Sequence, residues 1–405
     1  MIKKSDIIHV IEYQKQKYAA TENEIKRDII AHLPLDFKNF ALIISGIRRC
    51  GKSTLLQQLI NKQKNKVFFL NFDTPKLFNF ELNDFEIIDL IVEENESKVL
   101  FFDEIQVVKG WELYVRQKLD EGFKVFVTGS NASLLSRELG TKLTGRHITN
   151  ELFPFSFQEY ARYKLLNTNS ETAFAYIKDG GFPEYLRTGN ADILQALFND
   201  ILYRDIAVRY GIRDIESMKR LLIYLISNVG RLVTAGKLVQ TLGIKSSATV
   251  LDYFSYFEQS YLLSLVPKFS YSYRAQIVNP RKIYIIDNGL VNAVSASYSD
   301  DYGRKLENTV YYALRQKNRE IYYFNEHGTE CDFVVCRNNK EKDLIQVCYD
   351  LNRENLGREE KGLIAAMDFF NQTKGKIITL NQKDTIKQGE KIIEVLPLHE
   401  FLCGN

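Results

Sequence analysis

A short apolar run, ALIIS (41–45), leads directly into Gly46-Ile47-Arg48-Arg49-Cys50-Gly51-Lys52-Ser53-Thr54, and the helix-like run LLQQLI follows. Every fixed position of G-x-x-x-x-G-K-[ST] is met. The spacing has a physical cause. Glycines let successive backbone N–H groups close around phosphate oxygens, and the N-terminus of the following helix adds its positive end. On that reading the loop from Gly46 to Thr54 cradles ATP, Lys52 reaches the β- and γ-phosphates, and Ser53 ligates Mg²⁺. A strand that turns this tightly into a helix also needs a sheet behind it, so the feature constrains fold as well as chemistry.

The neighbouring sequence supplies that sheet. Residues 41–155 alternate apolar runs with amphipathic stretches, and KVFFLNF (66–72), KVLFFDE (98–104) and FKVFVTGS (123–130) join ALIIS as short runs rich in Val, Ile and Phe. The rhythm predicts an α/β domain with a parallel sheet covered on both faces. The other half of a phosphoryl-transfer site should be acidic and end another buried strand, and VLFFDE closes on Asp103-Glu104. Asp103 would hold the magnesium through water, and Glu104 would act as general base on the attacking water. VFVTGSN ends in Ser130-Asn131, placed either to feel the γ-phosphate and orient water or to cap a helix over ASLLSREL. Arg146, in KLTGRHI, is a candidate arginine finger or a surface ion-pair partner.

Composition bounds the rest. A chain of 405 residues has room for two or three domains, and 45% hydrophobic with 26% charged residues fits a folded protein. The net charge of +3 is too mild to announce a nucleic-acid binder, though a local basic face could hide in the average. The sequence has no apolar run long enough for a transmembrane helix, and no membrane partner is expected. Charge breaks the apolar positions of MIKKSDIIHVIEYQKQKY, so no secretory signal is expected either. The five cysteines are few and odd in number, which points to a reducing cytoplasm. Cys331, Cys336 and Cys348 lack the close pairs of structural zinc sites and are expected as small buried strand residues.

The motifs GIRRCGKST, FFDEIQ, VTGSNASLL and LTGRHITNELFPFSFQEY come in a fixed order, then GGFPEYL (180–186), RKIYIIDNGL (281–290), LENTVYYAL (306–314) and ECDFVV (330–335). The set resembles the AAA-type (AAA+/ASCE) P-loop ATPases of bacteria and archaea. More narrowly, it resembles the prokaryotic family that couples such an ATPase to a C-terminal domain of unknown function. The resemblance spans nearly the whole chain. It implies an ASCE-type sheet with Asp103 and Glu104 in the Walker B role and Asn131 or Ser130 as sensor. It also implies Arg146 on the γ-phosphate, in cis or in trans, and Arg48 and Arg49 in the phosphate loop. Outside such a role those two arginines would pair with Glu151 or face solvent.

Changes of pattern divide the chain into an ATPase core with an N-terminal helical segment (1–160), a helical middle (161–290) and a second α/β block (291–405). In the middle, MKRLLIYLISNV, TAGKLVQTLG and SATVLDYFSYFEQSYLL read as three helices, with Ser246-Ser247 capping the third. The extended run LSLVPKFSYSYRAQIV and then KIYIID complete a winged-helix order, which the resemblance also implies. The third helix has Asp252 and Glu258 and no cation after Lys245, so it is poorly equipped to attract phosphate. Tyr253, Phe254, Tyr256 and Phe257 there suit a core or a protein interface.

Beyond residue 300, Glu307 on a helix, Asp332 on a strand and a polar residue on the next strand give the layout of PD-(D/E)xK nucleases, a restriction-endonuclease-like α/β fold. Gln346 stands at the usual acid and Cys348 at the usual lysine, so the fold resemblance survives while the catalytic set is broken. Lys361 or Lys376 could replace the lysine, but nothing in the sequence places either. Two functions stay open: ATP turnover that drives work on DNA, or a nucleotide switch that docks a protein partner without acting on DNA; a homo-oligomer is a further candidate partner.

Overall fold

The computed structural model describes residues 2–19, 25–37, 39–131, 141–296, 301–337 and 341–404. It divides into two compact units, Met1–Phe153 and Pro154–Asn405. The expected helical middle and C-terminal block both fall in the second unit. No helix among the described residues is long and apolar enough to cross a membrane.

The first unit is built on a five-stranded parallel sheet in the order β2-β3-β4-β1-β5, with β1 Ala41–Ser45, β2 Val67–Asn71, β3 Val99–Asp103, β4 Lys124–Gly129 and β5 His147–Glu151. The central strands β1 and β3 are buried at every position, as continuous apolar runs in a sheet covered on both faces should be. Helices α1 Lys4–Ala19, α2 Lys52–Ile60, α3 Phe85–Glu94 and α4 Trp111–Asp120 accompany them. The core joins Ile43, Phe72, Phe85, Phe102, Trp111 and Val127, with Phe85 stacked on Tyr114 at 4.0 Å. β5 reads HITNE, half-buried throughout. It pairs only with β1 within the sheet, and a one-sided edge strand needs no apolar run, which is why its sequence gives no strand signal. The run 132–139, expected as a helix, lies outside the described residues.

In the second unit the expected helices form at Ile215–Ile226, Ala235–Leu242 and Ser247–Gln259. Ser246 is the cap of the third, its hydroxyl accepting from the Thr249 N–H at 3.1 Å. A three-stranded antiparallel sheet, β6-β8-β7, flanks them, with β6 Leu232–Val233, β7 Leu263–Pro267 and β8 Arg281–Ile285. The run LSLVPKFSYSYRAQIV is extended only over β7. Beyond it the Ser272 hydroxyl accepts from the Ala275 N–H and starts a short helix, Tyr273–Val278.

A six-stranded mixed sheet, β13-β14-β12-β11-β10-β9, completes the unit. β9 Ile321–Glu326 and β10 Thr329–Cys336 form a hairpin across His327 and Gly328, both at positive φ as a two-residue mirror-image turn requires. β11 Lys342–Val347, β12 Lys374–Thr379 and the helices Tyr302–Arg315 and Leu356–Phe370 match their apolar patterns. The outer strands β13 Asp384–Gln388 and β14 Lys391–Pro397 add a hairpin that the sequence signals weakly, because β13 is mostly exposed.

Candidate functional site

β1 and β3 are separated by β4, and the phosphate loop and the acidic pair meet at the edge where all three strands end. The loop between β1 and α2 is fixed by backbone crowding. A Cβ on Gly46 would lie 2.1 Å from the Leu152 carbonyl oxygen, and Gly51 takes φ +98° to open α2. Arg49 and Glu104 hold positive φ of 63° and 52°, conformations that non-glycine residues avoid except where the surroundings impose them. Arg27, buried, braces the loop from outside, donating to the Cys50 carbonyl and to the Phe153 carbonyl at 2.7 Å each. Cys50 is buried, its thiol donating to the Leu152 carbonyl at 3.4 Å, and burial pushes that thiol up.

Within this frame the predicted side chains converge. Lys52 Nζ donates to the carbonyls of Gly46 and Ile47 at 3.1 Å and lies 3.4 Å from Glu104 Oε1. Ser53 Oγ donates to Asp103 Oδ2 at 2.7 Å. Ser130 Oγ donates to Glu104 Oε1 at 2.6 Å, and Gln106 donates to its other oxygen at 2.5 Å. Asn131 is buried beside them, its carbonyl accepting from Ser45 Oγ at 2.8 Å. Arg48 faces Asp73 at 3.6 Å, and Thr54 lies in the first turn of α2.

The two carboxylates have opposite electrostatic environments. Burial pushes Asp103 above the ordinary range, with the neighbouring Glu104 adding to it. Burial also opposes charge on Glu104, but Lys52, Ser130 and Gln106 outweigh it and hold that carboxyl below its ordinary value. Lys52 is buried too, and the Glu104 carboxylate keeps it more firmly protonated than usual against its desolvation. The two carboxyls thus differ in their partners, Asp103 on the Ser53 hydroxyl and Glu104 beside the Lys52 ammonium.

Two partners of Asp103 have no place in the motif. Asn71, ending β2, donates to Oδ2 at 2.6 Å, and Thr128, one residue before the end of β4, donates to Oδ1. Their signal was present: each is a polar residue at or near the end of an apolar strand, on the edge that the phosphate loop defines. Gln14 of α1 holds Asn71 in turn, through both the N–H and the carbonyl at 2.9 Å. Arg27 left no such signal, since its role depends on packing against a loop 23 residues away.

Arg146 is not brought to this cluster. β1 and β5 are parallel, with Ala41 beside His147 and Ser45 beside Glu151. Arg146 therefore sits where the strands begin, a strand length of roughly 15 Å from the edge that carries the loop. There it pairs with Asp120 at 2.6 Å and bonds Thr144 at 3.2 Å.

A second polar cluster lies inside the second unit. Glu307, Asp332 and Gln346 meet as their spacing predicts, but the cation among them is Lys282 of β8. Its ammonium lies 2.7 Å from Asp332, 2.7 Å from Glu330 and 3.1 Å from Glu307, at 2% exposure. Tyr284, two residues on and therefore on the same strand face, donates to Glu307 at 2.6 Å. A charged residue inside the apolar strand RKIYIID was the available clue. Gln346 accepts from the Asp332 N–H at 3.2 Å and donates to Glu359 at 2.7 Å, while Cys348 donates to the Asp350 carbonyl at 3.3 Å. Lys361 is exposed on its helix. Burial pushes the Glu307 carboxyl up to about 7 despite Lys282.

The motifs GGFPEYL and IIDNGL also meet here. Asp287 Oδ2 accepts from the Gly181 N–H at 2.5 Å, and Oδ1 accepts from Gly289 and Leu290 at 2.8 and 3.3 Å. A Cβ on Gly180 would lie 2.1 Å from that carboxylate, which accounts for the glycine. Burial pushes Asp287 up to about 6, against the pull of its three N–H donors. A carboxyl whose folded value lies above its unfolded one costs stability as pH rises between the two. The margin by which the native chain exceeds Asp287→Asn in thermal midpoint is therefore expected to shrink from pH 4 to pH 7. A constant margin would remove the buried carboxyl from that account.

Fold and site together define an AAA-type P-loop domain, and the sequence comparisons agree: residues 38–161 match the family described as "AAA domain". Residues 170–301 match the one described as "Domain of unknown function (DUF8612)". The chain belongs to the protein family that includes "Uncharacterized protein MJ1544" of Methanocaldococcus jannaschii, to which it is 34% identical over 99% of its own length and 96% of that protein. An "Uncharacterized protein" of Haemophilus influenzae is 29% identical over 81% of this chain and 87% of its own. Among solved structures, Drosophila ORC bound to AT-rich DNA and Cdc6 is 13% identical over 71% of this chain and 93% of that one, at a TM-score of 0.19, too slight to bear on fold or function.

Proposed function

We propose that the first unit binds and hydrolyses ATP with Mg²⁺, and that turnover is coupled to work on DNA. The observation that carries the ATPase reading is the meeting of Lys52, Ser53, Asp103, Glu104 and Ser130 at one sheet edge, with one carboxylate on the loop serine and the other on the loop lysine. Hard oxygen donors suit magnesium, and Ser53 with Asp103 would hold it. Bound there, the ion would supply charge neutralisation on the phosphates. Lys52 exchanges its contact with Glu104 for the phosphates, which frees the carboxylate to take a proton from water. Ser130 orients that carboxylate, and Asn131, buried beside it, supports the same edge.

Arg146 at the far edge suits action in trans, on the nucleotide of a neighbouring copy, which makes an oligomer the working form. The DNA link rests on the winged-helix order of the three helices and sheet β6-β8-β7. In the nuclease-like C-terminal part the acids are occupied by Lys282, reaching in from β8, and the third position is a glutamine, where metal chemistry needs open acids, so that part is a scaffold and does not cleave.

Steady-state ATP hydrolysis by the full chain, with and without duplex and single-stranded DNA, tests both parts. Lys52→Ala is expected to abolish nucleotide binding as well as turnover, since the ammonium contacts the phosphates in ground and transition states alike. Unchanged hydrolysis in that variant would overturn the ATPase reading. Hydrolysis indifferent to DNA would transfer the coupling to a protein partner.

A further inference from the structure

We propose that the connection between β7 and β8, residues 268–280, is a stacking platform for single-stranded nucleic acid. The inference rests on the DNA-linked reading above and names the surface that reading lacks. The third helix, where a groove-reading contact would be sought, carries the acids; the platform lies elsewhere.

Large apolar side chains are exposed here in one group. Tyr271 is 79% exposed, Tyr273 76% and Val278 69%. Phe369 of the helix Leu356–Phe370, 44% exposed, stacks near Tyr271 at 6.1 Å and 24°. Phe269 beneath them is buried and meets Tyr271 edge-on at 5.2 Å, so the ring is buttressed from the core. An exposed patch of this kind marks a binding surface.

Charge selects the occupant. Between Gln259 and Ile286 the chain has no Asp or Glu, yet it carries Lys268, Arg274, Arg281 and Lys282. Lys282 turns inward to its carboxylates and Lys268 pairs with Glu326 at 3.0 Å. Arg274 is exposed and pairs with no acid among the described residues. Lys342 lies 6.0 Å from the Phe269 ring. Across the surface, Asp368 is held by Lys391. Exposed rings with unneutralised cations beside them fit a polyanion whose bases offer flat faces. A duplex hides those faces in its stack, so the platform fits unpaired bases.

The test is fluorescence anisotropy of the full chain with a labelled oligothymidine of about 20 nucleotides and with a duplex of the same length. Tyr271→Ala and Tyr273→Ala are each expected to weaken single-strand binding about tenfold or more, while Tyr271→Phe keeps the ring and the affinity. Arg274→Ala should lower the slope of log affinity against log salt by about 0.7. These side chains are exposed, so thermal midpoints should not move. Binding indifferent to the tyrosines, or a preference for duplex, overturns the platform. So does a native chain that binds neither nucleic acid while Tyr271→Ala changes its sedimentation, which would make the patch a protein contact. Hydrolysis read in the same samples separates the two claims. Tyrosine-dependent binding without stimulation leaves the platform and sinks DNA-driven turnover. Stimulation that survives loss of both tyrosines does the reverse.

Discussion

Glu104→Gln is expected to hydrolyse ATP about 10²- to 10⁴-fold more slowly than the native chain while still binding it, the usual scale for removing a general base. The environment of Glu104 argues for so large an effect. Lys52 at 3.4 Å, with Ser130 and Gln106 on its oxygens, keeps the carboxyl ionised, so a proton acceptor stands ready at neutral pH. The amide still accepts from Ser130 but cannot take the proton. Losing the charge also releases Lys52 from its internal partner, so nucleotide affinity should hold or rise. Steady-state hydrolysis alongside equilibrium nucleotide binding separates the two. If turnover survives within a few-fold, Glu104 is not the base and the acidic pair has another use.

Lys282→Met is expected to produce the largest loss of stability in the second unit. The methionine keeps most of the stem and removes the charge, leaving Glu307, Asp332 and Glu330 facing one another without their common cation. Removing one partner from a buried ion pair costs about 3–5 kcal/mol, which in a unit of this size lowers the thermal midpoint by about 10 °C. The pH dependence gives an internal control. Glu307 already holds its proton to about 7 against an ordinary 4.5, so the folded state binds protons more tightly and loses stability as pH rises through that window. Without Lys282 the carboxyl rises further, so the damage should be least near pH 5 and worst above pH 7. Adding Glu307→Gln should recover part of the loss. A variant as stable as the native chain at pH 8 would mean that Lys282 is incidental to the cluster.

The candidate nucleotide site was legible because its motifs are local. The run from Gly46 to Thr54 makes turn and helix within one short segment directly after strand β1, although the crowding at Gly46 comes from the distant Leu152 carbonyl. Asp103-Glu104 was readable for the same reason, as acids closing a buried strand. The strands β1 to β4 follow from apolar runs that only a doubly covered sheet can bury. Arg146 shows the limit. Its motif suggests a phosphate contact, and only the parallel register of β5 against β1 puts it at the opposite edge, beside Asp120. Arg27 was missed because it serves the site through a loop distant in sequence, whereas Asn71 and Thr128 carry only the weak signal of a polar residue near the end of an apolar strand.

The second unit divides the same way. Alternation and helical periodicity specify β9 to β12 and the two long helices, and carboxylate spacing anticipates the meeting of Glu307, Asp332 and Gln346. The sequence shows a broken catalytic set with its lysine absent. A lysine inside the apolar strand RKIYIID is visible in the sequence, but only tertiary structure brings Lys282 to Asp332, 50 residues away along the chain, and turns an apparent vacancy into an ion-paired core. Local sequence determines which backbone can form and which face is buried. Which charge meets which other charge depends on strand order and register, and those are settled by packing across the whole unit.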